Sequence, residues 1–193
     1  MKGKAIFIMG PTGIGKSTTI RLLRERNPEY IYLPSYTDRA MRTGEKQGDP
    51  YFFITPQQFQ DKIKNNDFLE YAFVHNLDYK GTNKQEIYDA VEDEKIIYKE
   101  VELKGYFQIE KNLQKEMYTT IFLYPTDPEI IKARILKREP NMSTNDIQQR
   151  LKSFDEEMKH INDFDYKIQT IENGEEIIYE KVLEIFKKTW EEK

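Results

Sequence analysis

The chain has 193 residues, 38% hydrophobic and 33% charged, which suits one compact domain with its own core and excludes a disordered composition. Its net charge of −4 gives no general pull toward nucleic acid or anionic lipid, so any phosphate ligand has to be met by a local cluster of cations. With no cysteine, disulfides, thiolate metal sites and thiol nucleophiles are excluded.

The N-terminus begins with two lysines around Gly3, but the apolar stretch Ala5 to Met9 is too short for a signal peptide and runs straight into glycines. No later segment reaches the roughly 18 apolar residues of a membrane span. The expectation is a cytoplasmic protein without membrane or nucleic-acid partners. Lys4 to Met9 reads as a buried strand, Gly10 to Gly15 as a break, and Lys16 to Arg26 as a helix stopped by Asn27 and Pro28. Tyr30 to Leu33 is a second strand. The polar stretch 35–50 reads as loop. Tyr51 to Ile54 is a short strand, and Pro56 opens a helix that runs to about Asn65. A hairpin is expected over 68–81 and a short helix over 83–91. Strands at 95–101, 118–124 and 166–171 alternate with helices at 104–114, 128–137, 143–162 and 174–190. Ser143 and Asp146 have the spacing of a helix-capping pair. The alternation implies an α/β fold, with a mostly parallel sheet and helices on both faces. The stretch near 34–93 interrupts that rhythm and reads as an inserted lobe.

Gly10, Pro11, Thr12, Gly13, Ile14, Gly15, Lys16 and Ser17, followed by Thr18, match the spacing G-x-x-x-x-G-K-[ST]. Glycines let successive backbone N–H groups turn inward on phosphate oxygens, and the helix behind them points its positive end at the same anion. Lys16 supplies a mobile cation for the outer phosphates, and the Ser17 hydroxyl is a ligand for Mg²⁺. The pattern is that of a P-loop NTPase fold and predicts a loop that binds nucleotide phosphates. A second phosphate site is suggested by Arg39 and Arg42, three apart in a polar loop, with the Tyr51 hydroxyl nearby. A solvated charged loop is the alternative on spacing alone. His75 and His160 have no ligand spacing and read as surface or packing residues.

Through these residues and those that follow, the chain resembles guanylate kinases from its first strand into its last quarter. Ser35, Thr37, Arg39, Arg42, Gly44, Glu45, Gly48, Tyr51 and Phe53 match that family's S-x-T-T-R-x-x-R-x-G-E-x-x-G-x-x-Y-x-F pattern. Phe68, Leu69, Glu70 and Tyr71 follow in register, then Gly81 with Thr82, then Glu102 to Gly105, then Arg134 with Arg138, and Arg150 with Leu151. The resemblance implies a core over 1–33, 94–125 and 163–193, a nucleoside monophosphate lobe over 34–93, and a helical lid over 126–162. It implies transfer of the ATP γ-phosphoryl to GMP or dGMP with Mg²⁺, by a monomer or homodimer. Arg39, Arg42, Tyr51 and Lys80 are implied for the GMP phosphate, and Ser35, Glu70, Thr82 and Glu102 for guanine. Lys16, Arg42, Arg134, Arg138 and Arg150 are implied as catalytic charges. Three positions depart from the pattern: Lys80 stands for Tyr, Glu102 for Asp and Lys104 for Gln. The family's Asn-Asp adenine contact has no clear counterpart in 169–173. A related kinase acting on ribose bisphosphate, and a phosphopeptide-binding scaffold domain without catalysis, are the alternatives.

Overall fold

The computed structural model describes residues 3–74, 78–127, 129–131, 133 and 144–191, with the side chains of 144–146 and 149 excepted. Strands β1 (Lys4–Met9), β2 (Ile31–Tyr32), β8 (Ile96–Glu100), β9 (Tyr118–Pro125) and β10 (Tyr166–Thr170) form one five-stranded sheet in the order β10-β9-β1-β8-β2. Every pairing in it is parallel, with Ile6 opposite both Tyr98 of β8 and Thr119 of β9.

Both faces of this sheet are covered, and the side-chain alternation along β1 shows how. Ile6 and Ile8 point to one side and join a core with Leu22 and Leu23 of helix α1 (Lys16–Arg26) and Val182 and Phe186 of helix α6 (Glu175–Glu191). Ala5, Phe7 and Met9 point to the other and join Ile87 and Val91 of α3 (Lys84–Glu92) and Tyr106 and Ile109 of α4 (Leu103–Asn112). A strand buried on both faces reads as an unbroken apolar run, and so Lys4 to Met9 does.

The chain leaves this sheet after Tyr32 and returns to it at Ile96. In between, β3 (Ser35–Thr37), β4 (Lys46–Gln47), β5 (Pro50–Phe53), β6 (Phe68–Val74) and β7 (Asp78–Asn83) form a second, mixed sheet in the order β4-β5-β3-β7-β6. Helix α2 (Pro56–Lys64) packs on it through Phe59, whose ring lies 4.5 Å from Phe68 and 5.3 Å from Tyr79. A capping box starts α2: Thr55 accepts from Gln58 N, and the Gln58 side chain accepts from Thr55 N.

The reading of 35–50 as loop is corrected here. Residues 35–37 are a strand held by partners far away in sequence, parallel to β5 and antiparallel to β7. Three residues carry too little alternation to announce a strand, and the pairing is non-local. Helix α5 (Thr144–Lys159) lies within the helix expected over 143–162. Most of the helix expected over 128–137, the capping pair at Ser143, and His75 lie outside the described residues. His160 bonds Asp163 Oδ2 at 2.7 Å and packs edge-on against Phe107, a structural role. Among the described residues, no helix is long and apolar enough to cross a membrane.

Candidate active site

The loop between β1 and α1 is built by glycine conformations. Gly10, Gly13 and Gly15 have φ of 140°, 82° and 111°, which L side chains rarely adopt. At Gly10 there is also no room, because a Cβ would stand 2.3 Å from the Leu123 carbonyl oxygen of β9. Ile14 is buried in the core and pins the loop from below. Lys16 folds back over it, and its Nζ donates to the carbonyls of Gly10 and, at 3.0 Å, of Pro11. Burial pushes the Lys16 pKa down, and the carboxylates of Glu157, Glu100 and Glu102 oppose that shift. Ser17 is exposed at the start of α1. With Arg21, Arg24, Tyr32, Asp49 and Glu100 it lines a cleft of about 520 Å³. One wall of the cleft is α1 and the other is the second sheet at Asp49, and Arg24 bridges to Asp49 at 3.1 Å.

Across the second sheet, three expected phosphate ligands are brought together. The Arg39 guanidinium lies over the Tyr51 ring at 5.3 Å and the Phe53 ring at 5.1 Å. Lys80 Nζ donates to the Tyr51 hydroxyl at 2.9 Å. Arg39 is aimed by Glu45, which accepts from both of its terminal nitrogens at 2.6 and 2.8 Å. Glu45 also accepts from the Arg42 backbone N–H at 2.8 Å. The Arg39 side-chain bonds, and then the Arg42 backbone bond, pull the Glu45 pKa down to about 2. The Arg42 residue itself is exposed.

The expected base readers form a second cluster. Thr82 of β7 is fully buried and donates to Glu70 Oε1 of β6. Glu70 Oε2 lies against the first turn of α4, where aligned backbone dipoles favour negative charge. A Cβ on Gly105 would stand 2.8 Å from that oxygen, so glycine leaves the carboxylate its place. Ser35 of β3 joins the cluster through Lys99, whose Nζ donates to Ser35 Oγ at 3.0 Å and to Thr82 Oγ1. Lys99 belongs to β8 of the first sheet and is 2% exposed. Burial pushes its pKa down, while Glu70, Glu100 and Glu86 hold it up and Lys80 adds to the fall.

Glu102 is exposed at the start of α4 and has no hydrogen bond to this cluster; its charge acts on Lys16 and Glu157 instead. Arg150 is half-buried on α5, and Arg134 and Arg138 lie outside the described residues. Sequence reasoning missed two residues of this region. Lys99 carries only a weak signal, a cation that directly follows the apolar run Ile96, Ile97, Tyr98 within one strand. Glu157 was signalled by its place seven residues, about two helical turns, after Arg150. Burial raises the Glu157 pKa to about 7; Lys16 pulls it back and Glu102 adds to the rise.

The family model described as guanylate kinase matches residues 2–189. A guanylate kinase of Clostridium tetani is 35% identical over 167 residues, covering 86% of this chain and 78% of that protein. One of Helicobacter hepaticus is 36% identical over 170 residues, covering 86% and 82%. The crystal structure of guanylate kinase from Anaplasma phagocytophilum has the same fold, with a TM-score of 0.72 at 24% identity over 100% of this chain and 88% of that one. With the glycine loop, the arginine-bearing second sheet and the matched relatives taken together, the chain belongs to the guanylate kinase family.

Proposed function

We propose that the protein transfers the γ-phosphoryl group of ATP to GMP or dGMP, giving ADP and GDP or dGDP. The observation that carries this reading is the pairing of two different anion sites with one base-reading cluster. The glycine loop with Lys16 stands on one wall of the cleft. The Arg39, Tyr51 and Lys80 group stands on the second sheet that makes the other wall. The buried pair Glu70 and Thr82 adds the base site, with the Glu70 carboxylate as the acceptor. Guanine presents N–H donors at N1 and N2, which suit a carboxylate, and an acceptor at O6, which suits the Ser35 hydroxyl.

The loop N–H groups and the first turn of α1 would cradle the ATP phosphates. Lys16 exchanges the carbonyls of Gly10 and Pro11 for phosphate oxygens, a swap of one set of acceptors for a more highly charged one. The residues present also suit Mg²⁺. Ser17 and Glu100 line the same cleft and offer the hard oxygen donors that this ion takes. When bound, the ion neutralises charge on the phosphate oxygens. Arg39, Tyr51 and Lys80 hold the GMP phosphate so that its oxygen attacks in line. Glu102, exposed at the start of α4, is the remaining acceptor for a guanine N–H. Arg42 and Arg150, with Arg134 and Arg138, balance charge as the phosphoryl passes. No covalent intermediate on the protein is needed. Catalysis is alignment plus charge neutralisation. We further read it as a cytoplasmic enzyme, monomeric or homodimeric.

A coupled ADP assay with GMP, dGMP, AMP and ribose bisphosphate as acceptors tests the reading. Turnover is expected with GMP and dGMP. A lack of turnover with both defeats it.

A further inference from the structure

We propose that Lys99 is a specificity-determining positioning residue, which commits the Ser35 hydroxyl to act as a hydrogen donor toward the base of the acceptor nucleotide. The inference rests on the reading of Ser35, Glu70 and Thr82 as the base site.

A hydrogen-bond inventory carries it. An ammonium has three donors and no acceptor, and a hydroxyl has one donor and two acceptor lone pairs. Lys99 Nζ bonds both Ser35 Oγ and Thr82 Oγ1, so both hydroxyls accept from it. The single hydrogen of Thr82 goes to Glu70 Oε1. Thr82 is thereby spent as a donor, and Glu70 keeps its other oxygen for a partner. The hydrogen of Ser35 cannot turn back onto the ammonium. It has no acceptor among the described residues, so it is offered outward. A group approaching Ser35 with its own hydrogen also meets the positive charge behind the oxygen. The cluster therefore presents a donor at Ser35 beside an acceptor at Glu70. That is the complement of a base with an oxo group next to a ring N–H.

Lys99 comes from a strand of the first sheet, while Ser35 and Thr82 belong to the second. It is fully enclosed and touches the acceptor only through these hydroxyls. The cost of burying an ammonium is large unless the charge is paired and bonded. Thr82, Ser35 and the nearby Glu70 carboxylate supply that compensation.

The test is calorimetric binding of GMP and of 6-thioguanosine 5′-monophosphate, which keeps N1–H and the 2-amino group but replaces O6 by a weaker acceptor. The wild-type chain is expected to prefer GMP by roughly three- to tenfold, the worth of one hydrogen bond. Lys99→Met and Ser35→Ala are each expected to lose that preference, and the double variant to lose no more than Ser35→Ala alone. Lys99→Gln, which keeps polarity in the buried site and gives the Ser35 hydrogen an inward acceptor, is expected to lose it as well. A folded Lys99→Met or Lys99→Gln protein with the wild-type ratio overturns the proposal. So does an equal ratio in the wild type and Ser35→Ala. Loss of affinity for both ligands in equal measure, with the ratio kept, marks Lys99 as structural only. Failure of the wild type to bind GMP at all overturns the base-site reading and the proposal with it.

Discussion

Glu45 meets the proposed phosphate site only through Arg39. Its carboxylate grips Arg39 at two points and is 18% exposed on its side chain, against 11% for Arg39. A bidentate pair fixes direction as well as distance. Glu45→Gln is expected to raise the KM for GMP several-fold while leaving kcat within about twofold, as steady-state kinetics would read. Equal losses in both would point to a wider disturbance of the loop. Lys16 acts more directly. Lys16→Ala is expected to lower kcat/KM for ATP by about 100-fold or more, the size of losing one fixed charge at a developing anion. A variant that turned over ATP normally would remove the glycine loop from the mechanism. At this scale the sequence is legible where a side chain belongs to a local pattern. Lys16 and Ser17 stand out by spacing alone, whereas Arg39 and Arg42 on spacing could equally be a solvated loop and gain a role only through the family resemblance. Lys99 does not stand out, because its partners Ser35 and Thr82 lie 64 and 17 residues away and come together only when two sheets meet.

Helix α5 brings Glu157 to Lys16, and this makes the element sensitive to pH. The Glu157 pKa is raised to about 7 from 4.5, so the folded state holds its proton where the unfolded chain has already lost it. Its neutral form stabilises the fold below pH 4.5 relative to the charged one, and this contribution falls as pH rises through the window from 4.5 to 7. The difference in Tm between the wild type and Glu157→Gln is therefore expected to shift against the wild type across that window and to stay constant above it. A difference flat from acid to neutral pH would mean that Glu157 does not titrate there. Helix α2 carries a simpler expectation. Thr55→Ala removes the side-chain acceptor of its capping box. A loss of about 1 kcal/mol is expected in urea unfolding, with catalysis little changed. The start of α2 is legible from Thr55, Pro56 and Gln58, which are all local signals. Strand β3 is not, since three residues of mixed polarity become a strand only through β5 and β7.

The molecule has two sheets, and the two apolar clusters pack on the faces of the parallel one. Phe186 is fully buried and packs against the rings of Tyr30 and Tyr98, with centroids 5.0 and 5.3 Å away. Phe186→Ala is expected to cost about 3–5 kcal/mol and to lower Tm by on the order of 10 °C in a chain of this size. A shift of only a degree or two would show that α6 repacks to fill the space. The α/β alternation of the core is readable in the sequence because β1 and much of β8 and β9 are apolar runs separated by stretches of helical spacing. The order of the strands is not, since parallel neighbours are joined by long crossovers. The bonds from Lys99 also tie the two sheets together at one place. Any displacement of one sheet against the other would have to break the bonds that Ser35 and Thr82 accept from Lys99.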